Sequence, residues 1–109
     1  MSSITGALAG TLDLSGLTVT TPVIVNQSIV SANTEYSYAL PANTKRFKIQ
    51  NRNEGLVKLS YNTGESGTKY WSIFPGQQYD GENISDTASL TIYYQSPKAS
   101  QTLEVISWS

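Results

Sequence analysis

Apolar and polar side chains alternate in several short segments of the chain, and the clearest two segments flank a polar turn. Phe47 and Ile49 alternate with polar neighbours in the first segment, and Val57, Leu59 and Tyr61 do so in the second. Alternation with a period of two places one set of side chains on a core face and the other set in water. This stretch therefore predicts a β-hairpin or a corner between two strands.

Other short segments show the same alternation or an equivalent apolar run. They span residues 17–21, 23–25, 28–30, 34–40, 69–74, 90–95 and 101–108. No predicted helix is longer than a turn. About eight short strands separated by turns every ~8–12 residues are typical of an antiparallel β-sandwich or jelly roll. A closed barrel is the alternative.

Turn residues bound these strands. Pro75-Gly76 predicts a type II turn, because proline presets φ at one central position and glycine accepts a positive φ at the next. Asn26-Gln27 predicts a turn between two short strands, and the polar segment from Gln77 to Ala88 predicts a loop. Tyr79 and Ile84 are then apolar anchors within that loop.

The first 16 residues differ from the rest, because small residues and glycines surround isolated apolar side chains. The apolar positions here are Ile4, Leu8, Leu12 and Leu14, and Leu17 follows directly; these five are the predicted interface residues. Such a segment cannot bury its own leucines, so we predict an extended arm (1–16) that docks on a neighbouring subunit, followed by a β-sandwich domain (17–109). The alternative is a strand or turn packed on its own domain. No signal peptide or membrane span is predicted.

Composition narrows the possible chemistry. The chain of 109 residues has no histidine and no cysteine, which excludes histidine-dependent catalysis and thiolate metal sites. Seven basic and eight acidic residues give a net charge of −1 without a block of either sign, so we expect no nucleic-acid partner. Arg46 and Lys48 share one strand face and predict a solvated surface. We expect neither enzymatic activity nor a cofactor.

One acidic group, Asp80, Glu82 and Asp86, is the nearest approach to a metal site. Calcium requires six to eight converging oxygens, and this spacing lacks the calcium-loop signature. Turn chemistry around Asp80-Gly81 explains the same residues without an ion. We therefore predict no metal site.

Aromatic side chains are the other candidates. Neighbours on a strand point to opposite faces, so one member of each pair, Tyr70-Trp71 and Tyr93-Tyr94, must face away from the core. This indicates an outer face covered by a partner. Tyr70, Trp71, Tyr79 and Tyr93 are the predicted exposed contacts, and stacking on a sugar ring is the alternative use of such groups.

The order of features over residues 34–109 resembles small β-sandwich virion proteins of tailed bacteriophages, especially head decoration or cement proteins. The features are Leu40-Pro41-Ala42, Phe47–Asn51 with Gly55, Pro75-Gly76, Leu90–Tyr94 and Leu103–Trp108. The resemblance lies in strand layout and transfers no functional residue.

This resemblance implies a protein made in the host cytoplasm that binds the major capsid protein on the outside of the head. It also implies a homo-oligomer, a dimer or a trimer, that stabilises capsomer joints. The alternatives are a glycan-binding or host-adhesion module of a virion, and a tail or neck adaptor with the same fold.

Overall fold

The structure, a computed structural model, describes residues 21–82 and 89–109, and all regular structure in these ranges is β-strand. The strands are β1 (Val23–Ile29), β2 (Tyr36–Ala39), β3 (Arg46–Gln50), β4 (Val57–Ser60), β5 (Trp71–Ile73), β6 (Gln78–Glu82), β7 (Thr91–Gln95) and β8 (Gln101–Trp108). No helix in the described ranges is long and apolar enough to cross a membrane. The predicted arm lies outside the described residues.

The eight strands form two antiparallel sheets of four strands each. Sheet I has the order β1-β8-β3-β6, and sheet II has the order β2-β7-β4-β5. The outermost strands of the chain pair with each other, then the next two, and so on inward: β1 with β8, β2 with β7, β3 with β6 and β4 with β5. These pairs alternate between the two sheets. The β3–β8 pairing joins the two pairs of sheet I, and the β4–β7 pairing joins the two pairs of sheet II.

One apolar core lies between the sheets and receives side chains from both. Its fully buried members are Ile29, Leu40, Phe47, Ile49, Val57, Leu59, Ile73, Ile92, Tyr94, Leu103 and Val105. Full burial of one such side chain contributes about 1.5–3 kcal/mol. The predicted core positions Phe47 and Ile49 of β3 and Val57 and Leu59 of β4 are confirmed.

The stretch that predicted a hairpin or a corner is a corner. β3 belongs to sheet I and β4 to sheet II, so the chain crosses from one sheet to the other between them. Asn51 at this crossing is completely buried. Tyr61, predicted to follow Val57 and Leu59 on the core face, lies beyond the end of β4 and is partly exposed.

Two predicted turns or loops are strands instead. Asn26 and Gln27 lie inside β1, paired with Glu104 and Leu103 of β8, so that one strand replaces the two predicted short ones. The segment Gln78–Glu82 is strand β6, paired along its whole length with β3. Pairing with a neighbouring strand supplies backbone hydrogen bonds that outweigh weak local strand propensity.

The Pro75-Gly76 turn is confirmed as type II. Gly76 has a φ of 83°, and the Gln77 amide donates a 3.0 Å hydrogen bond to the Phe74 carbonyl oxygen. The Gly76 amide donates a 2.7 Å hydrogen bond to the carbonyl oxygen of Asn51. The turn therefore positions β5 and β6 against the corner between β3 and β4.

Candidate functional site

Strand β1 forms an exposed edge of sheet I. Among the described strands it pairs with β8 alone, and its seven residues carry no charge. Ile24 is 69% exposed, and Val30, directly after the strand, is 63% exposed. An unpaired, uncharged and apolar strand edge offers free backbone donors and acceptors to another strand, so natural proteins usually cover or charge such an edge.

The outer face of sheet I continues this apolar surface. Ile24 lies opposite Ile106 in the β1–β8 register, and the Arg46 guanidinium lies 4.9 Å from the centroid of the Trp108 ring. Ile24, Ile106 and Gln50 are among the residues that line a shallow groove of about 310 Å³ on this face. Arg46 and Lys48 of β3, which were predicted to form a solvated surface, therefore lie beside the apolar side chains Trp108 and Ile106 of β8.

Two of the three acidic candidates lie on the outer face of β6. Asp80 and Glu82 are two residues apart on the same face of the strand, and a carboxylate oxygen of Asp80 lies 3.8 Å from the Lys48 ammonium group. Asp86 lies outside the described residues. No group of metal-ligating side chains occurs within residues 21–82 and 89–109.

The adjacent aromatic pairs separate as predicted for Tyr93-Tyr94. Tyr94 is buried in the core, whereas Tyr93 points outward from sheet II and is half-buried. Tyr70 also lies on the outer side, where the Lys58 ammonium is 4.8 Å from its ring centroid. Trp71 is on the core side of β5 but is 65% exposed, because β5 is the edge of sheet II.

An aromatic cleft lies where the edge strands β5 and β6 approach each other. The ring centroids of Trp71 and Tyr79 are 6.4 Å apart, and Tyr79 and Tyr61 lie 6.3 Å and 6.5 Å from Phe47. Polar side chains from the β4–β5 loop complete the lining, and the cleft has a volume of about 390 Å³. Its lining residues are Leu59, Ser60, Tyr61, Asn62, Glu65, Lys69, Trp71 and Tyr79.

Two tyrosine hydroxyls meet inside this aromatic cleft. The hydroxyl oxygens of Tyr61 and Tyr79 are 2.7 Å apart, and one donates to the other. Burial, together with the hydrogen bond and the charge of Tyr79, raises the pKa of Tyr61 well above its ordinary value. One hydroxyl proton makes this hydrogen bond, so the other O–H of the pair is left to donate outward.

The loop between β4 and β5 is held by a carboxylate from the other end of sheet II. Glu35 accepts a 2.8 Å hydrogen bond from the Gly64 amide and a 3.1 Å bond from the Ser66 amide, and Ser66 Oγ donates to it as well. Burial opposes ionisation of Glu35, but these three hydrogen bonds outweigh it and lower its pKa. Gln95 Nε2 donates to Ser66 Oγ at 2.8 Å. The aromatic cleft is therefore built on a fixed loop.

Of the four predicted aromatic contacts, the structure brings Trp71 and Tyr79 together and leaves Tyr70 and Tyr93 on the outer face of sheet II. Tyr61 joins the first two, although the alternation had assigned it to the core. Because Tyr61 and Tyr79 are 18 positions apart, only the pairing of strands brings their hydroxyls together. The predicted interface residues Ile4, Leu8, Leu12, Leu14 and Leu17 lie outside the described residues.

No protein-family model matches the chain, and no curated protein matches its sequence. A solved structure described as a de novo designed double-stranded β-helix is similar in fold. It shares 20% sequence identity, covers 81% of this chain and 97% of its own, and superposes with a TM-score of 0.51. This similarity supports the all-β architecture of two antiparallel sheets.

Proposed function

We propose that this chain is a structural, non-catalytic virion protein that binds the outside of a tailed-phage head as a decoration or cement protein. The observation that carries the proposal is the β1 edge, whose apolar side chains Ile24 and Val30 are exposed without any charge on the strand. A surface of this kind is typical of a protein that is completed by assembly.

The finer fold assignment that we propose is a jelly roll. The pairing of β1 with β8, β2 with β7, β3 with β6 and β4 with β5 is that of one long hairpin rolled into two sheets. Jelly rolls occur in viral capsid proteins and in lectins. The similarity to a designed double-stranded β-helix agrees with this assignment.

The β1 edge is proposed to join two copies of the chain. A two-fold axis perpendicular to sheet I pairs the two β1 strands antiparallel. The outer faces of sheet I in the two copies then lie on the same side. The Ile24–Ile106 pairs of the two copies then form one apolar surface. No like charges oppose each other, because β1 has none.

The segment 1–16 is proposed to bind the major capsid protein. It directly precedes the domain that begins near β1, so an oligomer presents several arms to neighbouring capsomers. Each arm contributes only a few leucines, but linked sites bind with an effective concentration that raises the overall affinity by orders of magnitude. Many such contacts across capsomer joints resist outward pressure on the shell.

Electron cryomicroscopy of the phage particle that carries this chain tests the proposal. We expect copies on the outer surface of the head, at joints between capsomers. Density for the chain only at the tail or neck would replace the decoration role with the adaptor role. Absence of the chain from the particle would overturn both.

Binding to heads that lack the protein tests the arm. In the full-length chain, Leu8→Ser, Leu12→Ser and Leu14→Ser together are expected to abolish cosedimentation with heads. The matched control, Ser2→Ala, Ser3→Ala and Ser15→Ala, is expected to bind as the parent does. Both variants are first compared with the parent by thermal unfolding, and equal binding by both would show that the leucines of the arm do not contact the capsid.

A further inference from the structure

A second surface, the aromatic cleft between β5 and β6, is separate from the β1 edge and is not used by the proposed assembly. β1 and β6 lie at opposite edges of sheet I. A ligand in the cleft therefore leaves the β1 edge accessible, and the two surfaces are able to act independently.

The cleft combines an exposed aromatic face with convergent polar groups. Trp71 is 65% exposed, and the polar groups are the Tyr61–Tyr79 hydroxyl pair, Asn62, Glu65 and Lys69. Its volume of about 390 Å³ falls within the range of roughly 300–1,000 Å³ for small-molecule sites. The cleft is therefore large enough for one or two sugar rings.

The lining favours a neutral, hydroxyl-rich ligand. The negative face of an aromatic ring attracts the polarised C–H groups on the apolar face of a pyranose. A carboxylate and an ammonium group, Glu65 and Lys69, balance each other in charge and supply an acceptor and donors for hydroxyls. A strongly anionic or cationic ligand would gain from one of these groups and be repelled by the other.

The Asn62 and Glu65 side chains and the loop that carries them are held in place before any ligand arrives. Asn62 Nδ2 donates a 3.1 Å hydrogen bond to Glu65 Oε1, and the backbone amides of Thr68 and Lys69 donate to the Glu65 carbonyl oxygen. The Glu35 carboxylate anchors the same loop through Gly64. Little conformational entropy is lost when such a site binds a ligand, which favours both affinity and specificity.

We infer that the aromatic cleft is a saccharide-binding site for a neutral hexopyranose, with Trp71 stacking on the sugar ring and the Tyr61–Tyr79 pair donating to a hydroxyl. The exposed glycan chains of a cell surface are the chemical class that presents such rings. Sugar binding here is independent of the virion role, because it depends only on the geometry of β5, β6 and the β4–β5 loop.

Nuclear magnetic resonance titration with methyl glycosides of glucose, galactose, mannose and N-acetylglucosamine tests the site. At up to about 10 mM sugar, tenfold above a millimolar Kd, we expect at least one glycoside to shift the Trp71 indole resonance and the amides of residues 61–65. The Trp108 indole, on the outer face of sheet I, serves as the internal reference. No saturable shift with any glycoside would overturn the inference.

Two exposed neighbouring residues provide matched variants. Trp71→Ala is expected to weaken glycoside binding at least about tenfold, which is the effect of about 1.4 kcal/mol of lost stacking. Tyr70→Ala removes an aromatic ring from the outer face and is expected to change binding less than about twofold. Equal effects of the two variants would show that the sugar does not bind in the cleft. Head binding by either variant reports on the proposed assembly role separately.

Discussion

The side-chain amide of Asn51 donates a 2.7 Å hydrogen bond to the backbone carbonyl oxygen of Ile73, which joins the corner after β3 to the end of β5. The same amide nitrogen donates to the Gly55 carbonyl oxygen at 2.9 Å, and Asn51 Oδ1 accepts 3.0 Å hydrogen bonds from the backbone and side-chain amides of Asn53. All the hydrogen-bonding capacity of a completely buried side chain is thus used.

Replacement of Asn51 by alanine is expected to lower the free energy of unfolding by about 2–4 kcal/mol, because two buried carbonyl oxygens lose their donor. Asn51→Asp is expected to be at least as destabilising, since it directs oxygens at those carbonyls. Urea unfolding measures both. The control, Asn53→Ala, removes a more exposed amide from the same corner, and an Asn51→Ala loss no larger than that of the control would contradict this role.

Gly81 is expected to tolerate no side chain. A Cβ at this position would overlap the ring of Phe47, its partner across the β3–β6 pair. Gly81→Ala is expected to cost about 1–3 kcal/mol through overpacking. Combined with Phe47→Leu, it is expected to cost less than the sum of the two single changes. A double-mutant cycle by thermal unfolding decides, and strict additivity would mean that the ring does not limit this position.

Glu35 is expected to make the free energy of unfolding depend on pH in the acid range. Because hydrogen bonds lower its pKa below the ordinary value of 4.5, its contribution is present above that value and is lost as the pH falls through the folded-state pKa. Glu35→Gln is expected to lose about 1 kcal/mol at neutral pH and to match the parent in strong acid. Urea unfolding across the acid range measures the difference.

The comparison for Glu35 is Glu54→Gln. Glu54 forms an exposed ion pair with Lys98 at 2.9 Å, which lowers its pKa. Solvent and salt screen such a pair. Glu54→Gln is therefore expected to change the free energy of unfolding only slightly, and this small change is expected to disappear at high ionic strength. If the Glu35 effect also disappears in salt, the anchoring of the β4–β5 loop is not its cause.

Tyr94 is expected to make the fold sensitive to alkali. Burial, with smaller contributions from the charges of Tyr36 and Tyr38, raises its pKa to about 12. A raised folded-state pKa means that this stability is present below pH 10.0 and is lost as the pH rises from there to about 12. Tyr94→Phe is expected to flatten part of that decline. Tyrosinate absorbance and the free energy of unfolding are measured together as the pH rises. If Tyr94→Phe loses stability as steeply as the parent, the loss comes from other tyrosines.

A single charge introduced on the β1 edge is expected to weaken association between copies of the chain. Ile24→Lys is expected to raise the dissociation constant of the oligomer at least about tenfold, since a lysine on an edge strand disfavours pairing with another edge. Ser37→Lys places the same charge on β2, the edge of sheet II, and is expected to have no effect. Sedimentation analysis distinguishes them. An unchanged oligomeric state of Ile24→Lys would remove β1 from the joint between copies.

The inward positions Phe47 and Ile49 of β3 and Val57 and Leu59 of β4 were predictable, because alternation depends only on the geometry of a strand. The Pro75-Gly76 turn was predictable for the same kind of local reason, since its φ values follow from the two residue types. The predicted turn at Asn26-Gln27 was wrong. Turn propensity of those residues is weaker than the hydrogen bonds that β8 supplies to both.

The sequence by itself determined that the chain is all-β, where its core faces lie, and that histidine and cysteine chemistry is absent. Only the tertiary structure decided that the Phe47 segment turns a corner, that Gln78–Glu82 is a strand, and that Tyr61 meets Trp71 and Tyr79 in one cleft. The physical reason is that periodicity is a property of neighbouring residues. Strand order depends on which distant segments pair, and that choice is made by the free energy of the whole core.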